Sequence, residues 1–270
     1  MDLGVLLPIV FVFGAIIGSF LNVVILRINT GRGVGGRSAC MSCGKNLSWH
    51  ELIPVISYVI QGRKCRGCKS TISAQYASVE ISTAILFTLI FWSHATTLVS
   101  GIIPVSLFLL IPLELIIASL LVVIFVYDTR HKIIPDLLVY TFDACALVTV
   151  FIGGTHTFHS PHMWTLLAGP ILALPFAFLW VISKGRWIGL GDAKLTIGIG
   201  WFLGLQAGIN ALVLAVWIGA IYGILYMLIK HGTFKARVEI PFGPFIILGA
   251  FIVLICSINI IDLRMLASLF

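Results

Sequence analysis

Two aspartates and four cysteines are the side chains whose types and settings point to chemistry in this sequence. Asp128 stands in the run Tyr127-Asp128-Thr129-Arg130-His131-Lys132-Ile133-Ile134-Pro135-Asp136, and Asp192 in Gly189-Leu190-Gly191-Asp192-Ala193-Lys194. Each lies where an apolar stretch meets a polar loop. Two carboxylates held close together cannot both ionise easily, so they share one proton. Such a pair can hydrolyse a peptide bond. The ionised member takes a proton from water while the protonated member donates to the scissile carbonyl oxygen. Neither a nucleophilic side chain nor a catalytic metal is required. Spacing alone favours plainer roles: Asp192 as a helix cap, Asp136 as the cap that follows Pro135, and Asp128 paired with Arg130 or His131.

The cysteines form two knuckles, Cys40-Met41-Ser42-Cys43 and Cys65-Arg66-Gly67-Cys68, about 20 residues apart. Paired C-x-x-C turns at that separation have the spacing of a four-thiolate zinc site, whose closed coordination makes it structural. The polar segment that carries them runs from about residue 27 to 75 and is too short for much of a core. A metal staple therefore makes physical sense. A reducing cytoplasm disfavours disulfides there. Cys145 and Cys256 fall inside apolar stretches and read as packing residues.

The elements that must position these groups follow from composition. Of 270 residues, 60% are hydrophobic and only 10% charged, against about 25% charged in soluble domains. A bilayer can solvate that much apolar surface and water cannot. The expected fold is all-α: a polytopic transmembrane bundle of about eight spans with a small zinc-stapled cytoplasmic insert. The expected spans run from about 3 to 26, 76 to 92, 102 to 127, 137 to 152, 164 to 182, 193 to 205, 208 to 229 and 245 to 261. Pro104 and Pro112 are expected to bend the third. The organisation is a first transmembrane helix over 1–26, a four-cysteine insert over 27–75 and a membrane core over 76–270. The sixth span is short and contains Gly198, Gly200 and Gly204. Its backbone either faces a wet interior or packs closely on a neighbour.

Charge fixes the expected orientation. Eight basic residues lie between Arg27 and Lys69, and Arg130, Lys132, Lys184, Arg186, Lys194, Lys230, Lys235 and Arg237 fall in loops on the same side of an eight-span chain. Only Arg264 falls opposite. The basic side is cytoplasmic by the positive-inside rule. The net charge of +7 then reflects topology and anionic lipid, with no nucleic acid implied. Asp2 stands where a secretory signal would be basic, so the first stretch reads as a retained helix with its N-terminus outside. A β-barrel lacks the required alternation, a phosphate-driven pump lacks a Walker A motif, and no G-x-S-x-G elbow is present. His156, His159 and His162 read as a solvated loop. Glu80, Glu114, Asp136, Asp143 and Glu239 are further acids in or beside spans, each costly enough to be a site hypothesis. An ion- or proton-coupled transporter using those carboxylates, or a zinc-dependent membrane scaffold, also remains open on the residues alone.

The ordered set of motifs resembles the bacterial type IV prepilin peptidases, a leader peptidase family. Gly18-Ser19-Phe20-Leu21-Asn22-Val23-Val24-Ile25 resembles that family's first-helix signature. The double C-x-x-C insert follows with Trp49-His50-Glu51-Leu52-Ile53-Pro54 and Ser57-Tyr58 between its knuckles. Tyr76, Val79 and Glu80, the Asp128 run, the G-x-G-D-x-K run and Ile240-Pro241-Phe242-Gly243-Pro244 complete it. The resemblance covers most of the chain. It implies a membrane aspartic protease with Asp128 and Asp192 catalytic, similar to presenilin-type proteases in its Tyr-Asp and Gly-x-Gly-Asp pairing. It implies prepilin or pseudopilin substrates whose short basic leader is cut just after a glycine at the cytoplasmic face of the inner membrane. It also implies N-methylation of the new amine from S-adenosylmethionine, and zinc on Cys40, Cys43, Cys65 and Cys68. Glu51, Glu80, Asp136 and Glu239 are candidate counter-charges to the leader. Two departures stand out: Met41 replaces the proline usual after the first cysteine, and the first loop is shorter than in many members. The four thiolates are intact, whereas methyl transfer has no motif of its own and comes from the resemblance alone.

Overall fold

The computed structural model describes residues 3–31, 33, 35–95, 97, 105–152, 162–231 and 240–262. Pro104, His156, His159, Lys235, Arg237, Glu239 and Arg264 lie outside them. All regular elements among the described residues are helical. They are α1 (Leu3–Arg27), α2 (Ile56–Ile60), α3 (Ala74–Ser93), α4 (Val105–His131), α5 (Asp136–Ile152), α6 (His162–Ser183), α7 (Leu190–His231) and α8 (Gly243–Cys256), with one helical turn at Trp49–Glu51. Each of the eight expected apolar stretches overlaps one of these helices, though the eighth, expected to run to about 261, leaves the helix after Cys256, where Ser257 takes the left-handed region at φ 49°. Five helices are long and apolar enough to cross a membrane: α1, α3, α4, α6 and α7. The difference from eight has local causes. α5 and α8 have only 17 and 14 residues. The sixth and seventh stretches run together as α7, broken at Gly204, where φ is 77°. Glycine takes that conformation without steric penalty.

The chain divides into two compact units. The first holds residues 1–104 and 114–123. Its centre is the antiparallel pair α1 and α3. A Cβ on Gly14 would lie 2.8 Å from the Ala84 Cα, and one on Gly18 would lie 2.7 Å from the Glu80 Cα. One turn further along, the Asn22 amide donates to the Tyr76 carbonyl at 3.0 Å. The three pairs step four residues at a time in opposite directions, as small-residue helix packing in lipid requires. The outer face of α1 is apolar and exposed at Val5, Ile9, Val12 and Ile16, a surface suited to lipid and unsuited to water. The same unit buries an ion-pair-distance contact between His94 and Glu114 at 2.8 Å.

The second unit holds residues 105–113 and 124–270, so α4 contributes to both. Here α7 is the hub, packed by α5, α6 and α8. A Cβ on Gly200 would come within 2.6 Å of the Gly169 Cα of α6. A Cβ on Gly249 of α8 would come closer still to the Ala211 carbonyl of α7. Close packing therefore accounts for Gly200. Gly198 instead faces the buried side chains of Phe142 and Asp143 on α5.

Candidate active site

Asp128 sits in the last turn of α4, and the chain reverses directly after it. Lys132 takes the left-handed region at φ 55°, and its N–H closes on the Asp128 carbonyl at 2.7 Å, an ordinary way to end a helix. Pro135 then accepts the first N–H groups of α5, from Leu138 at 3.1 Å and Val139 at 3.2 Å. This tight reversal throws Ile134 back across the site. A Cβ on Gly191 would meet the Ile134 Cβ at 3.0 Å, and one on Gly243 would meet the Ile134 Cδ1 at 3.0 Å. Ile134 is thus a wedge that locates the start of α7 and the start of α8 against the end of α4.

Asp192 lies in the first turn of α7. Its N–H reaches the Gly189 carbonyl at 3.3 Å, its carboxylate accepts from the Gly189 backbone, and its carbonyl accepts the Thr196 hydroxyl at 2.6 Å. Asp128 and Asp192 are both buried. They lie within electrostatic reach of one another. Gly243 completes the enclosure, since a Cβ there would lie 2.6 Å from the Asp128 Oδ2. No ion pair to Asp128 occurs among the described residues. Arg130 is exposed, and the His131 ring lies against Tyr127, with centroids 4.4 Å apart. Two buried acids with no cation paired to Asp128 among the described residues have the arrangement that proton-sharing chemistry needs.

The other acids go elsewhere. Asp136 is exposed and pairs with Lys194 at 2.7 Å, whose ammonium also lies over the Tyr140 ring at 5.0 Å. Glu80 accepts the Val55 N–H at 2.7 Å. Glu51 accepts the Ser48 N–H and hydroxyl at 2.9 and 2.7 Å and Lys45 at 3.3 Å. The Ser48 backbone bond, the Ser48 hydroxyl and the Lys45 ammonium together hold the Glu51 carboxyl down at about 2. Glu51 and Glu80 are therefore committed internally, and among the described residues Asp136 is the exposed acid of the set. Asp143 is buried on α5 with its Oδ1 unpartnered. Sequence reasoning missed the roles of Ile134 and Gly243. Their signal was present only as a turn residue before Pro135 and a glycine opening a helix.

The cysteines form two knuckles with the same backbone hydrogen-bond pattern. In the first, Cys40 N–H donates to the Lys45 carbonyl and Gly44 N–H to the Cys40 carbonyl, each at 2.9 Å. In the second, Cys65 N–H donates to Ser70 at 2.9 Å and Lys69 N–H to Cys65 at 3.0 Å. Isolated bridges Ala39–Asn46 and Lys64–Thr71 close both turns. The ligand sulfurs of Cys40, Cys43, Cys65 and Cys68 all lie within 4.8 Å of one another, with Cys40 and Cys68 at 3.9 Å. Backbone N–H groups of Cys43 and Ser42 favour the Cys40 thiolate and lower its pKa to about 6. The Ser70 hydroxyl and backbone lower that of Cys68. Four clustered sulfurs with anion-stabilising donors can bind a metal ion.

Comparison with known proteins places both parts of the chain. The bacterial peptidase A24 N-terminal domain matches residues 12–94, and the type IV leader peptidase family matches residues 115–224. Among curated proteins named prepilin leader peptidase/N-methyltransferase, that of Bacillus subtilis is 31% identical, covering 95% of this chain and 97% of its own. The Myxococcus xanthus protein is 32% identical over 85% of this chain, which spans 65% of that protein's length. The Pseudomonas aeruginosa protein is 27% identical over 92% of this chain and 91% of its own. No solved structure matches significantly.

Proposed function

Because the chain belongs to the type IV leader peptidase family, we propose that it is a membrane aspartic endopeptidase that removes the leader of type IV prepilins or pseudopilins. The observation that carries this reading is the meeting of Asp128 and Asp192, buried and within mutual electrostatic reach at two helix ends. The ionised aspartate takes a proton from water as the water oxygen attacks the scissile carbonyl carbon. The protonated aspartate gives its proton to the carbonyl oxygen, leaving a neutral tetrahedral diol. Collapse of the diol breaks the C–N bond. The nitrogen takes the proton first removed from water, and the second aspartate recovers its own from the diol hydroxyl. The pair ends as it began, one proton shared. The excess of basic residues on the loops carrying these helix ends supports a cytoplasmic site in the bacterial inner membrane.

The same chain is proposed to N-methylate the amine it exposes, with S-adenosylmethionine as methyl donor. Zinc is proposed for the four cysteines. A zinc–sulfur distance of about 2.3 Å places tetrahedral sulfurs about 3.8 Å apart, and the Cys40–Cys68 separation of 3.9 Å supports it. Such a closed thiolate set would hold the insert together and take no part in the hydrolysis. The central test is cleavage of a purified prepilin by Asp128→Asn and Asp192→Asn, each near-isosteric and unable to share the proton. Loss of cleavage in both, with retained folding, is the expected result. Full cleavage by either ends the aspartic reading.

A further inference from the structure

The insert carries an apolar face that the described protein leaves uncovered. On α2, Ile56, Val59 and Ile60 are 56%, 69% and 69% exposed, and their spacing puts them on one side of the helix. Trp49, in the helical turn packed on α2, is 78% exposed. Exposed clusters of this kind mark contacts with another phase or partner.

Glu80 sets the depth of this face. Its carboxylate holds the Val55 N–H, at the start of α2, at 2.7 Å. Glu80 lies six residues beyond Ala74, or about 9 Å along the α3 axis. The 20 residues of α3 extend about 30 Å, the thickness of a hydrocarbon core. A spanning α3 therefore places Glu80 about 9 Å in from that core's end, and the start of α2, bonded to its carboxylate, within the outer third of the core. The attachment is enforced. Val55 has φ 61°, a region that β-branched residues avoid, and such strain persists only where neighbouring contacts impose it.

Charge identifies the occupant. Arg63, Lys64, Arg66 and Lys69 follow α2 and are all exposed. Glu51, the one acid between residues 28 and 73, is buried and already bonded to Lys45. An apolar face at that depth, bordered by uncompensated cations, matches an anionic phospholipid surface. We propose that Trp49, Ile56, Val59 and Ile60 insert into the bilayer interface while Arg63, Lys64, Arg66 and Lys69 engage anionic headgroups. The insert is then a lipid-anchored module, and the second cysteine knuckle, opening five residues after Ile60, is held against the membrane surface.

The test uses the full chain in nanodiscs containing phosphatidylglycerol, with p-benzoylphenylalanine replacing Val59 or Ile60. Photolysis should give a phospholipid adduct as the main product at both positions, with or without prepilin. Adducts mainly to prepilin would mean that the face binds substrate. Adducts to this chain alone, or none to lipid, would mean that it is covered or solvated, and any of these results overturns the proposal. Hydrogen exchange on the unmodified chain guards against a misfolded variant. Protection of residues 56–62 should rise in phosphatidylglycerol over phosphatidylcholine nanodiscs. Neutralising Arg63 or Lys64 to Gln should weaken that lipid dependence roughly fivefold for each charge removed, and equal protection in both lipids rejects the anchor. Prepilin cleavage measured in the same nanodiscs keeps this result separate from the peptidase reading.

Discussion

Gly243→Ala is the sharpest probe of the proposed aspartate pair, because it adds one methyl group and no charge. The new Cβ would lie 2.6 Å from the Asp128 Oδ2, where ordinary contacts begin at 3.4 Å. The carboxylate must therefore retreat by about 0.8 Å, the difference between those two distances. The Ile134 Cδ1, at 3.0 Å from the same point, obstructs a sideways escape. Misplacing a reacting group by about 1 Å can cost about 100-fold in rate, so a loss of roughly 10- to 100-fold in kcat is expected. Substrate binding along the rest of the bundle should change little. Gly191→Ala is the matched control. The nearest atoms its Cβ would meet are those of the Ile134 side chain at 3.0 to 3.4 Å, so a smaller loss is expected. The assay is single-turnover prepilin cleavage in detergent, with thermal unfolding recorded on the same samples. Wild-type cleavage by Gly243→Ala, or a larger defect in Gly191→Ala, would refute the placement of Asp128 as a reacting group.

Asp143→Asn should keep prepilin cleavage within about threefold of wild type, because Asp143 faces Gly198 and Lys194, which lie one turn apart on a side of α7 turned away from Asp192; loss comparable to Asp192→Asn in the same assay would make it a third reacting acid. Glu51 is held at about 2 in the folded insert against 4.5 unperturbed, so its contribution is complete above pH 4.5 and fades as pH falls toward 2. Limited proteolysis between the knuckles should accordingly accelerate over that window in the wild type and already be fast at neutral pH in Glu51→Gln. Cys65→Ser should remove stoichiometric zinc, measured by elemental analysis of the purified protein, and expose the remaining cysteines to alkylation; a full complement of metal in that variant would contradict the four-sulfur site.

What was legible in the sequence was what depends on local order or on solvent. The apolar stretches could be read because lipid tolerates almost nothing else, and the cysteine knuckles because each turn closes through its own backbone. The merging of two stretches into α7 was half legible: Gly204 marked the place, but a broken helix and two joined ones have the same composition. Partner choice was not legible. Asp128 and Asp192 are 64 residues apart, and their helix ends meet through tertiary contacts such as those of Ile134 with Gly191 and Gly243. Glu51 and Glu80 looked available to a basic leader because sequence cannot show that Ser48, Lys45 and Val55 already occupy them.

Three buried acids of the apolar helices share one device. A carboxylate oxygen of Asp128 lies against Gly243, of Asp143 against Gly198 and of Asp192 beside Gly189. Glu80 and Glu114 have other partners, the Val55 N–H at 2.7 Å and the His94 ring at 2.8 Å. A carboxylate in an apolar bundle needs either a cation or space in which backbone dipoles can reach it. Removing a Cβ supplies the space without fixing the proton, whereas a cation holds the acid ionised. Asp136, paired with Lys194, is therefore unsuited to passing a proton back and forth during hydrolysis. Asp143 looks toward Lys194 on the far side of α7, which leaves Asp128 with Asp192 as the proposed proton-sharing pair.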